Sequence, residues 1–188
     1  MKTSEFNKLR DYLHKVPIGT GMFCSAYPYT RGKVLLKCTY DVTKFMLAFS
    51  GLSGKHFPEI KYIGRYRRKS WDTRTYERYY FVAKRYRKPN KEGKNLAEKF
   101  AEAQDIIADI EDRDTTADDR ARWTINYFEQ EGVKFSILDA LDKIKLKAHS
   151  FASKNKMNWT FDLSLYNIAS DRNGNVILLD PVHFYRRG

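Results

Sequence analysis

The sequence is short of several things, and each shortage excludes something. It has only two cysteines, Cys24 and Cys38, among 188 residues. Two are too few for a disulfide framework, so reduced thiols in a cytosolic setting are expected. No stretch approaches ~18 uninterrupted apolar residues, so no membrane span is expected. The segment Met1 to Lys15 mixes charged and apolar side chains and carries no signal-peptide core. There is no internal repeat and no low-complexity tract. Acidic residues are outnumbered: 23 Asp and Glu face 35 Lys and Arg, a formal net charge of +12. That imbalance favours acidic partners, whether nucleotide phosphates, nucleic acid or an acidic protein surface, without choosing among them.

What is present points to a folded chain. Hydrophobic residues make up 42% and aromatics 15%, and so much aromatic surface needs a core or a partner. The length suits one domain or two small lobes. Charge is segregated along it. Lys61 to Lys94 is crowded with Lys and Arg, and Glu98 to Asp119 turns acidic. The change falls at Pro89–Gly93, a Pro/Asn/Gly turn, so the expected division is 1–88 and 89–188.

The first half reads as strands around one helix. Val34-Leu35-Leu36-Lys37 and Tyr79 to Ala83 are short strand-like runs, and Pro58 to Gly64 is a third. Between them Asp41 can cap a helix carrying Val42, Phe45, Met46 and Phe49, which stops at Ser50-Gly51. The second half reads as helices over Leu96–Glu111 and Phe135–Lys154. A hairpin follows, Asn167–Ala169 with Asn175–Leu179, around Asp171-Arg172-Asn173-Gly174. The expected class is α+β: an antiparallel-sheet lobe followed by a short helical lobe.

Three segments carry chemistry. In Gly19-Thr20-Gly21-Met22-Phe23-Cys24-Ser25, two glycines two apart let backbone N–H groups approach phosphate oxygens. Alone, that stretch also reads as an ordinary hairpin turn. Lys37 ends an apolar strand 16 residues past Gly21, within reach of phosphates held by such a loop. Alone, it also reads as the exposed end of a strand. The third segment is sharper. Asp162, four intervening residues, Asn167, and then Asp180 after an apolar strand form the spacing of a phosphotransferase catalytic loop. In that role Asp162 accepts the proton of the attacking hydroxyl. Asn167 and Asp180 offer hard oxygens to Mg²⁺.

With these residues in this order, the chain resembles the early-gene serine/threonine kinases of short-tailed bacteriophages of the autographivirus type. The likeness spans roughly Val16 to Tyr185. Its signatures are GTGMFCSAY at Gly19–Tyr27, Lys37, Phe161-Asp162 opening the catalytic loop, and Asp180-Pro181-Val182 in place of Asp-Phe-Gly. It implies a minimal two-lobe protein-kinase-like fold that binds ATP and Mg²⁺ at the junction of the lobes. It further implies phosphorylation of Ser or Thr, on the chain itself or on host proteins, in the host cytoplasm. The resemblance assigns phosphate cradling to Gly19 and Gly21, phosphate pairing to Lys37, proton acceptance to Asp162 and metal binding to Asn167 and Asp180. The adenine would rest near Lys84–Arg87, against Tyr80 or Phe81.

Four departures qualify the expected activity. Thr160-Phe161 stands where the pattern has His-Arg, so no receptor for an activation-loop phosphate is expected. No Glu lies between Lys37 and Pro58 to hold Lys37. The eight residues after Asp180 include no Ala-Pro-Glu, so a protein substrate is expected to dock elsewhere. Cys24 replaces a third glycine, as a packed or a reactive thiol. Three other functions stay open on this reading. One is a kinase scaffold that grips and inhibits a host protein, itself acidic. Another is nucleic-acid binding through the basic, aromatic stretch 61–88. The third is phosphotransfer to a small molecule: aminoglycoside kinases share the Asp…Asn…Asp logic, although no acidic segment is placed to receive a cationic substrate.

Overall fold

The computed structural model describes every residue except 1–2, 21–23, 40, 70–74, 113 and 187–188. The chain divides into two compact units, Met1–Ala48 with Glu59–Arg85, and Phe49–Pro58 with Tyr86–Gly188. Sheet and helices combine as α+β.

The first unit begins with α1 (Thr3–Leu13), followed by β1 (Gly19–Thr20), β2 (Cys24–Pro28) and β3 (Lys33–Cys38). Then come α2 (Val42–Phe49), β4 (Ile60–Lys69) and β5 (Thr75–Lys84). The strands form one antiparallel sheet in the order β1-β2-β3-β5-β4. Asp41 caps α2 as its sequence suggested: its Oδ1 accepts the Lys44 N–H at 3.0 Å. Past the helix end, Gly51 at φ +71° supplies the left-handed turn that stops it.

Both faces of this sheet are covered, because side chains alternate along each strand. On one face Leu9 of α1 joins Tyr27, Leu35 and Tyr80 in a buried cluster, and Phe6 stacks on Tyr66 with centroids 3.8 Å apart. On the other, Phe45 of α2 meets Tyr62, Tyr79 and Phe81 at 5.5, 4.9 and 5.3 Å. Helix α1 was not foreseen from sequence; its apolar positions are few, and the sheet face it covers is what gives them a role.

The expectation of reduced thiols is corrected. Cys24 and Cys38 form a disulfide, with Cα atoms 4.1 Å apart. They stand directly opposite each other on the antiparallel neighbours β2 and β3. Counting cysteines could not show this pairing, because it depends on strand register.

The second unit holds the helices α3 (Lys91–Ile110), α4 (Ala117–Gln130) and α5 (Phe135–Asn155). Asn90 caps α3 by accepting the Gly93 N–H at 3.0 Å, and its Nδ2 donates to the Gly174 carbonyl at 2.8 Å. Helix α4 begins at the end of the acidic run. It opens with a Thr116/Asp119 capping box and buries Ala121, Ile125 and Phe128. The chain then runs through β6 (Met157–Phe161), β7 (Ile168–Ser170), β8 (Val176–Leu178) and β9 (Val182–Arg186). The expected β7–β8 hairpin forms, and β6 pairs with β9 around it.

Candidate functional site

The second unit builds one group of predicted residues tightly. Along β6, Trp159 and Phe161 alternate inward, 2% and 4% exposed, and pack edge to face. The strand ends there, and Asp162 turns out half-buried. Leu163, fully buried, pins the loop behind it. A single 3-10 turn, Leu165–Asn167, brings the chain back to β7.

Two backbone hydrogen bonds then tie this loop to the segment after β8. The Asp162 N–H donates to the Pro181 carbonyl at 2.9 Å, and the Leu179 N–H donates to the Asn167 carbonyl at 2.8 Å. Asp180 sits between those two anchors, flanked by one residue bonded to Asp162 and one bonded to Asn167. A third bond closes the group: Asn167 Nδ2 donates to the Asp162 carbonyl at 3.2 Å. Among the described residues Asn167 Oδ1 keeps no such partner. A carboxylate and an amide oxygen are the hard donors that a small divalent cation takes.

The strand leading to Asp180 has a support that no sequence motif announces. His56 is buried, with Nδ1 2.7 Å from the Val176 carbonyl and Nε2 3.0 Å from Ser136 Oγ. A carbonyl cannot donate, so Nδ1 carries the proton, and in the neutral ring Nε2 accepts from the serine hydroxyl. The His56 carbonyl also accepts the Leu178 N–H at 2.9 Å. Burial pushes the His56 pKa below its ordinary value of 6.5, against a smaller upward pull from the Val176 carbonyl. His56 thus clamps both ends of β8, two residues before Asp180.

The first unit holds the other predicted residues. Gly21, Met22 and Phe23 lie outside the described residues. Thr20 stands opposite Ser25, Ser25 opposite Lys37, and Lys37 opposite Tyr80. Directly opposed residues share a face, so Thr20, Ser25 and Lys37 form a polar row across three strands. A Cβ on Gly19 would meet no atom of the described residues within 4 Å. Cys24 is held by its disulfide, with Asp41 Oδ2 3.3 Å from its sulfur.

Lys37 is half-buried, and among the described residues no carboxylate lies within salt-bridge distance of it. The sequence ascribed this to the missing Glu on α2. The register adds a second reason. Lys37 shares the face of Leu35 and Tyr80, which α1 covers, whereas α2 packs on the opposite face through Phe45. Tyr80 and Phe81, offered above as adenine neighbours, are 2% and 0% exposed, one in the core of each face.

No protein-family model matches this chain, and no curated protein matches it. Among solved structures it is similar to one described as the streptomycin-ATP-APH(2")-IIa ternary complex. That similarity has 13% sequence identity and a TM-score of 0.36, and covers 99% of this chain and 73% of the other.

Proposed function

We propose that this chain is an ATP-dependent, Mg²⁺-requiring phosphotransferase of protein-kinase type, acting on Ser or Thr hydroxyls. One observation carries the reading: three hydrogen bonds tie Asp162 and Asn167 to each other and to Leu179 and Pro181, the neighbours of Asp180, in the order and spacing that phosphoryl transfer uses. Asn167 Oδ1 and the Asp180 carboxylate would hold Mg²⁺, which supplies charge neutralisation at the transferred phosphoryl group. Asp162 orients the substrate hydroxyl and takes its proton. In the first unit, the Gly19 backbone, Thr20, Ser25 and Lys37 supply donors of the kind that phosphates accept. The strand order β1-β2-β3-β5-β4, with a helix between the third and fourth strands in sequence, supports the kinase-like reading of that unit.

The test is incubation with γ-labelled ATP and Mg²⁺, with the chain alone and with a generic Ser/Thr-rich protein, followed by hydrolysis and phosphoamino-acid separation. Label on phosphoserine or phosphothreonine, absent in Asp162→Ala, supports the reading. Label on a small-molecule alcohol alone would move it to a different substrate class.

A second reading rests on Lys37. A phosphate-pairing lysine without a carboxylate to hold it predicts slow transfer, which suits a scaffold that binds and inhibits a host protein. A folded wild type that binds ATP without turning it over would favour this second function.

A further inference from the structure

We propose that the paired strands β4 and β5 form a basic ribbon that binds the phosphate backbone of duplex nucleic acid. Strand β4 carries Lys61, Arg65, Arg67, Arg68 and Lys69 and no acid; β5 adds Arg78, Lys84 and one acid, Glu77, and Lys84 is paired at 2.6 Å with Glu59 just before β4. Seven positive charges and one negative give +6, half of the chain's formal +12 on twenty residues.

The register sorts these charges. Arg65 lies opposite Tyr79, Arg67 opposite Glu77 and Lys69 opposite Thr75, so the three positions share one face. The Arg65 and Arg67 side chains are 61% and 63% exposed. Glu77 lies 3.6 Å from Arg65 and 3.9 Å from Arg67 and also accepts the Tyr79 hydroxyl at 2.8 Å. One carboxylate shared among three donors leaves this face positive.

Charge density selects the partner. Four strand steps carry the row from Arg65 to Lys69 over about 13 Å. A duplex presents one phosphate per about 1.7 Å of axis, so about eight over that length. Carboxylates four apart on a protein helix stand about 6 Å from one another along its axis, so an acidic helix offers two or three. Aromatic placement decides between duplex and single strand. Tyr66 is stacked on Phe6, and Tyr62 and Tyr79 pack on Phe45, so these rings belong to the sheet's own packing instead of forming a platform for unpaired bases.

The bland account is that charge on an edge strand blocks edge-to-edge pairing, and β4 is an edge. One or two charges of either sign achieve that. Five cations with no acid exceed it.

The inference stands apart from phosphotransfer, since none of these side chains belongs to the proposed catalytic group. The test is fluorescence anisotropy of a labelled 20-base-pair duplex with the full chain, from 50 to 300 mM NaCl. Wild type is compared with Arg65→Ser/Arg67→Ser and, as an equal-charge control, Lys147→Ser/Lys154→Ser on α5. Thermal melts confirm that each is folded. Binding at 50 mM salt is expected, with a log–log salt slope about 2 units shallower in the arginine variant and unchanged in the control. Absence of binding at 50 mM, an equal slope change in the control, or tighter binding to polyglutamate or to single-stranded DNA would each overturn it.

Discussion

At Asn167 the amide nitrogen is committed to the Asp162 carbonyl, so Oδ1 is the atom turned to any cation. One side chain therefore sets the loop's shape and offers a ligand, which separates its neighbours' roles. Asp162→Asn keeps the size and the backbone bonds but removes the proposed base. It should lower transfer at least ~10²-fold while leaving nucleotide affinity nearly unchanged, as a turnover and binding comparison would show. His56 acts at the same scale on stability. Its folded pKa lies below 6.5, so the unfolded state takes up the proton first. The stabilisation from neutral His56 is full above pH 6.5 and is lost as pH falls through the lowered folded value. The melting temperature should drop over that window, and His56→Gln should flatten the drop. An unchanged slope in that variant would remove His56 from the account. The spacing of Asp162, Asn167 and Asp180 was legible in the sequence because the proposed phosphoryl transfer would fix it. His56 was not, because its importance comes from contacts with Val176 and Ser136, 120 and 80 residues away.

Helix α1 and the β2–β3 pair make predictions at the scale of elements. Leu9 is 7% exposed and closes the face holding Tyr27, Leu35 and Tyr80. Leu9→Ala should cost about 2–3 kcal/mol in chemical denaturation, and a cost near zero would mean that α1 does not hold that face. The Cys24–Cys38 bridge closes a short loop, with a sequence separation of 14. A loop of that size predicts up to about 3 kcal/mol of stabilisation, so a reductant should lower the melting temperature of wild type and leave Cys24→Ser/Cys38→Ser unmoved. The strands β3, β4 and β5, helix α2 and the β7–β8 hairpin were all readable, because their apolar periodicity and turn residues are local. Helix α4 was obscured by the acidic run around it, although Thr116 and Asp119 had the spacing of a capping box. The β6–β9 pairing joins segments that only the whole unit brings together.

For the molecule as a whole, composition anticipated a folded chain with a basic half and the order of strand-like and helical segments anticipated the α+β class, but neither could anticipate faces. Lys37 illustrates the limit. Its place on a strand was evident, but its position on the α1 face depends on register with Ser25 and Tyr80. The same register collects Arg65, Arg67 and Lys69 into one row, which the sequence showed only as a basic stretch. The central claim remains that Asp162, Asn167 and Asp180 form the working group of a phosphotransferase. The most direct measurement compares Mg²⁺-dependent ATP binding and label transfer in wild type, Asp162→Ala and Asp180→Ala, each checked for folding by its thermal melt. The account predicts that Asp162→Ala binds Mg²⁺-ATP without transferring label, that Asp180→Ala loses the Mg²⁺ dependence of binding, and that wild type does both. Label transfer from either alanine variant at the wild-type rate would contradict it.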